Sequence, residues 1–84
     1  MAIDIPIIRT ESPKPKCADA RTLGFGTIFT DHMFVARHDG KRGWHDARIV
    51  PYGPLAIDPA SPALHYATEV FEGLKAYRYA NGEV

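Results

Sequence analysis

Apolar and polar residues alternate between positions 23 and 50 in a way that predicts β structure. The run TIFTDHMFVARHD, residues 27–39, alternates in part and is rich in aromatic and β-branched residues, which are typical of strands. Asp39 and Gly40 then indicate a turn, and WHDARIVPYG, residues 44–53, predicts a returning strand. Two such runs around a loop that contains Asp-Gly predict an antiparallel hairpin.

A helical period follows in SPALHYATEVFEG, residues 61–73. Ser61 is a suitable N-cap, Pro62 suits the first helical position, and Gly73 suits a C-terminal stop. The apolar residues recur three or four apart and predict one apolar face: Leu64, Ala67, Val70, Phe71 and Leu74. With a further strand predicted at residues 76–79, the order of elements favours an α+β fold, an antiparallel sheet with one helix.

The end of the chain raises the question of where its last strand pairs. Asn81-Gly82 is a strong hairpin signal, because a type I′ turn needs positive φ at both central residues. Only Glu83 and Val84 follow it, so the returning strand is missing and we expect the 84 residues to be part of a longer protein. Residues 1–20, rich in proline and charge, are predicted to be an extended or disordered leader. Residues 21–84 are then an incomplete α+β domain.

Composition narrows the classes of partner. Ten basic residues balance ten acidic ones, which disfavours a nucleic-acid partner. The single Cys17 cannot form an internal disulfide, which favours a reducing compartment. No apolar run approaches the roughly 20 residues of a membrane span, and MAIDIPIIRTE lacks the features of a secretory signal. We therefore expect a cytoplasmic protein with no nucleic-acid or membrane partner.

The residue types do not add up to a complete catalytic set. The four histidines match no zinc-binding spacing: His32, His38, His45 and His65. Cys17 lies in the predicted leader, with no histidine near it in sequence to activate its thiol. Lys75 follows the apolar helix end, where desolvation would make an amine nucleophilic, but a strand lysine that faces solvent is much the more common case. We predict no catalytic residue and no metal site in the chain.

Five blocks occur in one order between residues 25 and 77: FTDHM, GW, DPAS, LHY and FEGLKAY. In that order and approximate spacing they resemble the branched-chain amino acid aminotransferases, which are pyridoxal phosphate enzymes of fold type IV. The resemblance covers nearly everything from Phe25 to Gly73. It implies that the chain is the start of the smaller N-terminal domain of a protein several times longer, and that the strand after Gly82 is the next element of that domain.

The resemblance also implies an activity. The family transfers the amino group of leucine, isoleucine or valine to 2-oxoglutarate, with pyridoxal phosphate as the electron sink. The lysine that bonds the cofactor, and the residues that hold its phosphate and pyridine nitrogen, lie downstream of Val84 in the family. No cofactor-binding residue is therefore expected here, and the chain alone is expected to be inactive. The complete enzyme is expected to be a homodimer.

Four residues are expected at the substrate by resemblance. Phe25, Tyr66 and Phe71 line the site for the aliphatic side chain, and Gly73 keeps it open. Tyr66 and Phe71 are five residues apart, about 140° around a regular helix, so one helix cannot point both into one pocket. Either the helix ends before Phe71, or the two residues serve different copies of the site, with Tyr66 acting across a dimer.

Two rival interpretations stay open. One is another fold type IV enzyme, such as a D-amino acid transaminase or an aminodeoxychorismate lyase, which shares the FEG-like block but is less similar upstream, at FTDHM. The other is a small α+β interaction module without catalytic chemistry.

Overall fold

The computed structural model describes residues 3–84, so Met1 and Ala2, the first residues of the predicted leader, lie outside the described residues. The elements are a 3₁₀ turn at Ala20–Thr22, strand β1 at His32–Asp39, strand β2 at Gly43–Pro51 and helix α1 at Pro62–His65. The chain divides into two units, Met1–Pro54 and Leu55–Val84. A two-stranded antiparallel sheet and one short helix confirm the α+β prediction.

The predicted hairpin is present, with a shorter first strand. β1 and β2 are antiparallel, and Met33 lies opposite Val50. The Asp39 carboxylate closes the three-residue loop by accepting the backbone N–H groups of Lys41 and Arg42 at 2.9 and 2.7 Å. Asp at this position is typical of turns, because its side chain substitutes for a backbone acceptor. The strand prediction is wrong for residues 27–31, which precede β1.

A β-bulge interrupts the hairpin. The register shifts between Val35 and Arg37, so that Asp46 and Ala47 of β2 lie opposite Ala36 of β1. Asp46 has a φ of 55°, a left-handed conformation that Asp tolerates better than most residues. Its carboxylate pairs with an arginine of each strand, at 2.6 and 3.5 Å. The extra residue bends β2 and increases its local twist.

The segment before the hairpin pairs with the outer edge of β2. Ile7 forms a parallel bridge to Ile49. The N–H of Ile8 donates to the Ile49 carbonyl at 2.8 Å, and the N–H of Ile49 donates to the Pro6 carbonyl at 2.9 Å. Part of the predicted leader is therefore extended and hydrogen-bonded. The division of the chain at residue 20 stays a prediction.

The helix prediction is correct at its start and wrong in its length. Pro62 occupies the first turn as predicted, but α1 ends at His65 and Ala67 adopts a φ of 51°. An apolar face stabilises a short helix mainly by packing against another surface. The side chains predicted to form that face have nothing to pack on: Val70 is 98% exposed and Phe71 is 90% exposed. Within the described residues no helix is both long and apolar enough to cross a membrane.

The predicted last strand is also wrong, whereas the turn after it is present. Residues 76–79 have no ladder partner and are irregular. The N–H of Gly82 donates to the Tyr79 carbonyl at 3.0 Å, and the N–H of Tyr79 donates to the Glu83 carbonyl at 2.7 Å. Only Gly82 of the predicted pair has a positive φ, 90°. The turn is thus a three-residue loop that ends in a left-handed glycine, not the predicted type I′ turn.

No residue among residues 3–84 is buried as a whole, and none forms an apolar core. The strands are half-buried at best, and the large apolar residues of both units are mostly exposed. Apolar burial is the main favourable term in folding, so the described residues lack the usual source of stability of a globular domain.

Candidate substrate-pocket residues

Phe25 lies in the first unit, in an irregular turn before β1. Gly24 and Gly26 on either side of it both have a φ of 68°, a region that glycine adopts without strain. At Gly24 an added Cβ would lie 3.1 Å from Oγ1 of Thr27, so the Thr27 side chain leaves little room for a larger residue there. Phe25 is 91% exposed.

Tyr66, Phe71 and Gly73 lie in the second unit. Tyr66 directly follows α1, where its N–H donates to the Pro62 carbonyl at 2.8 Å, and its side chain is 82% exposed. Phe71 lies beyond the left-handed Ala67, outside any helix. The helix therefore ends before Phe71, which is the first of the two alternatives that the sequence left open. An added Cβ at Gly73 would meet no atom within 4 Å.

A concave apolar surface that the sequence did not predict lies in the first unit. Its volume is about 660 Å³, and one wall is the segment around Ile5 while the other is the hairpin around Phe34 and Trp44. Phe34 and Ala36 are two apart on β1 and so face the same side, which is the signal from which the sequence could have located this surface. None of the four predicted substrate residues lines it.

A polar cluster, the Asp31 cluster, lies at the start of β1 and consists of Asp31, Lys14 and Lys16. The Lys16 ammonium pairs with Oδ2 of Asp31 at 2.7 Å, and the backbone N–H of Lys14 donates to Oδ1 at 3.0 Å. These two contacts hold the pKa of the Asp31 carboxyl below its ordinary value. The carboxylate is only 6% exposed. The Lys14 ammonium donates to two backbone carbonyls at 3.1 and 3.3 Å and lies 5.4 Å from the ring centroid of Tyr52.

Three histidines make hydrogen bonds, and their roles differ. Nε2 of His32 accepts the backbone N–H of Thr10 at 3.0 Å. His45 contacts the Gly43 carbonyl through Nδ1, and His65 contacts the Pro59 carbonyl through Nε2, so both imidazoles donate. Among residues 3–84 no three His, Cys, Asp or Glu side chains are placed to hold a metal ion. Cys17 is exposed, and its thiol contacts the Asp19 carbonyl and the Thr22 hydroxyl.

Comparison with known proteins gives the family. The branched-chain-amino-acid aminotransferase of Mycobacterium tuberculosis (strain ATCC 25618 / H37Rv) is 56% identical over 64 residues, which are 76% of this chain and 17% of that protein. Branched-chain-amino-acid aminotransferase 2 of Bacillus subtilis (strain 168) is 51% identical over 75 residues, 89% of this chain and 20% of that protein. By its sequence, the chain belongs to the branched-chain aminotransferase family. No family model matches it.

The match extends along the whole chain. A probable branched-chain-amino-acid aminotransferase of Staphylococcus epidermidis (strain ATCC 12228 / FDA PCI 1200) is 50% identical over all 84 residues, which are 23% of that protein. The chain thus spans about a fifth of the length of the branched-chain aminotransferases that it matches. The resemblance inferred from the five blocks is confirmed.

The described residues do not fit a pyridoxal phosphate site. Such a site needs a lysine amine free to bond the cofactor and donors aimed at its phosphate. The ammonium groups of Lys14 and Lys16 are taken up by Asp31 and by backbone carbonyls. Lys75 is exposed in an irregular segment, and it does not line the concave apolar surface of the first unit.

Proposed function

We propose that the chain is part of a cytoplasmic branched-chain aminotransferase that moves amino groups between leucine, isoleucine or valine and 2-oxoglutarate. The observation that carries the proposal is identity of about half or more with proteins of that name along the whole chain. Those names do not favour a D-amino acid transaminase or an aminodeoxychorismate lyase. They do not favour a non-catalytic module either.

The proposed contribution of this chain is to the substrate side chain. Phe25, Tyr66 and Phe71 offer exposed aromatic surface, and apolar surface is what recognises a branched aliphatic group. At Gly73, the open space around the Cα leaves room for that group to approach the backbone. Because the chain spans about a fifth of its relatives, we propose that other parts of such a protein, or of its dimer partner, complete the pocket.

Pyridoxal phosphate enters this proposal through the family, and it would supply the electron sink of the amino transfer. We propose that the residues that hold it lie in parts of the family's sequence that these 84 residues do not include. The residues described here would then shape the substrate pocket and would not bond the cofactor.

A hybrid enzyme tests the proposal. The matching 84 residues of the Staphylococcus epidermidis relative are replaced by this chain, and amino transfer from leucine to 2-oxoglutarate is measured with purified protein. We expect the hybrid to retain activity and to prefer branched-chain amino acids to D-alanine. A hybrid that folds and binds the cofactor but does not transfer amino groups from leucine would overturn the proposal.

Two controls make the result specific. The 84-residue chain alone, supplied with free pyridoxal phosphate, is expected to give no turnover above a buffer blank. A hybrid with Tyr66→Ala is expected to lose affinity for leucine, while the same hybrid with Tyr79→Ala, a change at another exposed tyrosine, is expected to keep it.

A further inference from the structure

Residues 6–16, here called the N-terminal strap, are attached to the hairpin at three places. The backbone at Pro6 and Ile8 pairs with Ile49 on the edge of β2. The N–H of Thr10 donates to Nε2 of His32 at 3.0 Å, at the first residue of β1. The last attachment is the Asp31 cluster, where Lys14 and Lys16 meet the carboxylate. The middle attachment is the only one of the three that depends on an imidazole.

The hydrogen bond to His32 fixes the protonation state of that imidazole. A backbone N–H can only donate, so Nε2 must be the unprotonated nitrogen, with the proton on Nδ1. If Nε2 gains a proton it becomes a donor, and two donors then face each other at the Thr10 contact. His45 and His65 behave differently, because they donate to backbone carbonyls and keep those hydrogen bonds when they are protonated.

We propose that protonation of His32 releases the N-terminal strap at Thr10 while the hairpin stays formed. His32 therefore acts as a pH-sensitive attachment point between the strap and β1. The release is local, because the pairing with Ile49 and the contacts of the Asp31 cluster involve no imidazole.

The charged groups around His32 do not replace the lost hydrogen bond. Asp31, the preceding residue, is engaged by Lys14 and Lys16 of the strap. On β2 the residue opposite His32 is Pro51, which carries no charge. Among residues 3–84 no carboxylate forms an ion pair with His32.

The contact can be observed in the ¹⁵N-labelled hybrid enzyme, in which this chain replaces the matching 84 residues of the Staphylococcus epidermidis relative. An N–H···N hydrogen bond transmits a scalar coupling between its two nitrogens, here the Thr10 amide and Nε2 of His32. Histidine ordinarily changes its charge between about pH 5 and 8, so spectra are compared at those two values. We expect the coupling at about pH 8 and its loss at about pH 5, with cross-strand contacts between Met33 and Val50 present at both.

A matched pair of variants identifies the group responsible. In the wild type, protection of the Thr10 amide from solvent exchange is expected to fall by about fivefold between pH 8 and pH 5. That factor corresponds to the usual net free energy of one hydrogen bond. In His32→Gln the side chain does not titrate, and the protection of Thr10 is expected to be the same at both values. His65→Gln changes an imidazole that only donates, and it is expected to behave as the wild type.

Three results would overturn the inference. One is the absence of the coupling at about pH 8 in the hybrid enzyme. The second is a hairpin that is lost together with the Thr10 contact, which would mean general unfolding. The third is a pH response that persists in His32→Gln, which would assign it to another group.

Discussion

Asp31 connects the N-terminal strap to β1, and its lowered pKa predicts how this attachment responds to acid. Its pKa is lowered mainly by the Lys16 ammonium and next by the Lys14 backbone N–H. A carboxyl whose pKa is lower in the folded state stabilises that state above its unfolded pKa of about 3.9, and the contribution is lost as the pH falls through the folded value. We therefore expect the Asp31 attachment to survive mild acid and to fail only below the ordinary pKa range of an Asp.

The carboxyl chemical shift of Asp31, followed by NMR, checks this expectation. Lys16→Ala removes the largest cause of the lowered pKa, so the midpoint of Asp31 is expected to move up toward its ordinary value. Lys41→Ala is the matched control, because Lys41 is also an exposed lysine but contacts Asp39 through its backbone. An unchanged midpoint in Lys16→Ala would assign the lowered pKa to the backbone contact alone.

Phe71 and Lys75 are both exposed here, yet the proposed function gives only Phe71 a role in substrate binding. In the hybrid enzyme we expect Phe71→Ala to reduce kcat/KM for leucine more than for glutamate. A ring fully buried against an aliphatic substrate contributes roughly 1.5–3 kcal/mol, whereas the loss of a solvent-facing charge has little effect.

Steady-state kinetics of both variants with leucine and with glutamate decide between the two residues. Lys75→Ala serves as the neighbouring control and is expected to resemble the parent. The assignment of this stretch would be wrong if Lys75→Ala abolished amino transfer while Phe71→Ala left it intact.

At the scale of elements, the hairpin depends on the conformation at the start of β2. Gly43 has a φ of 65°, and an added Cβ there would meet no atom, so any penalty for Gly43→Ala comes from the backbone alone. A residue with a Cβ in the left-handed region costs about 1–2 kcal/mol. We expect Gly43→Ala to destabilise the hairpin by that free energy. The loss is measured as a smaller hairpin population from NMR cross-strand contacts.

Gly40→Ala is the control in the same loop. Gly40 does not have a positive φ, and its added Cβ also meets no atom within 4 Å. The hairpin population is therefore expected to be unchanged or slightly higher, because alanine restricts the unfolded chain more than glycine does. Equal losses in the two variants would show that the loop does not hold Gly43 in the left-handed conformation.

For the whole molecule, the lack of a buried apolar core among residues 3–84 predicts the behaviour of the 84-residue chain in solution. Apolar residues of the second unit, among them Val70 and Leu74, are open to solvent. Exposed apolar surface and unpaired strand edges promote association. We expect the chain to self-associate in sedimentation experiments and to show a broad thermal transition by circular dichroism. A monomer with a sharp, cooperative transition would contradict this and favour a self-sufficient module.

The hairpin could be predicted from the sequence because its signals are local. The strand-forming residues of the two runs, the Asp39-Gly40 turn and the Ser61-Pro62 helix start each act within a few residues, and the structure has the two strands, the turn and the helix start. The five blocks that indicate the family are likewise a property of residue order, independent of how the chain packs. The four substrate residues rest on that resemblance and stay a prediction.

The elements that were predicted wrongly from the sequence are those whose formation depends on contact with another surface. The apolar stripe of residues 64–74 has the period of a helix, but only four residues are helical because nothing covers the stripe. Residues 76–79 have strand character and no strand to pair with. The contact between Thr10 and His32 spans 22 positions, beyond the reach of any local pattern. Local chemistry therefore determined the turns and the hairpin, while the tertiary structure decided element length, the course of the strap and the role of His32, because these depend on which surfaces meet.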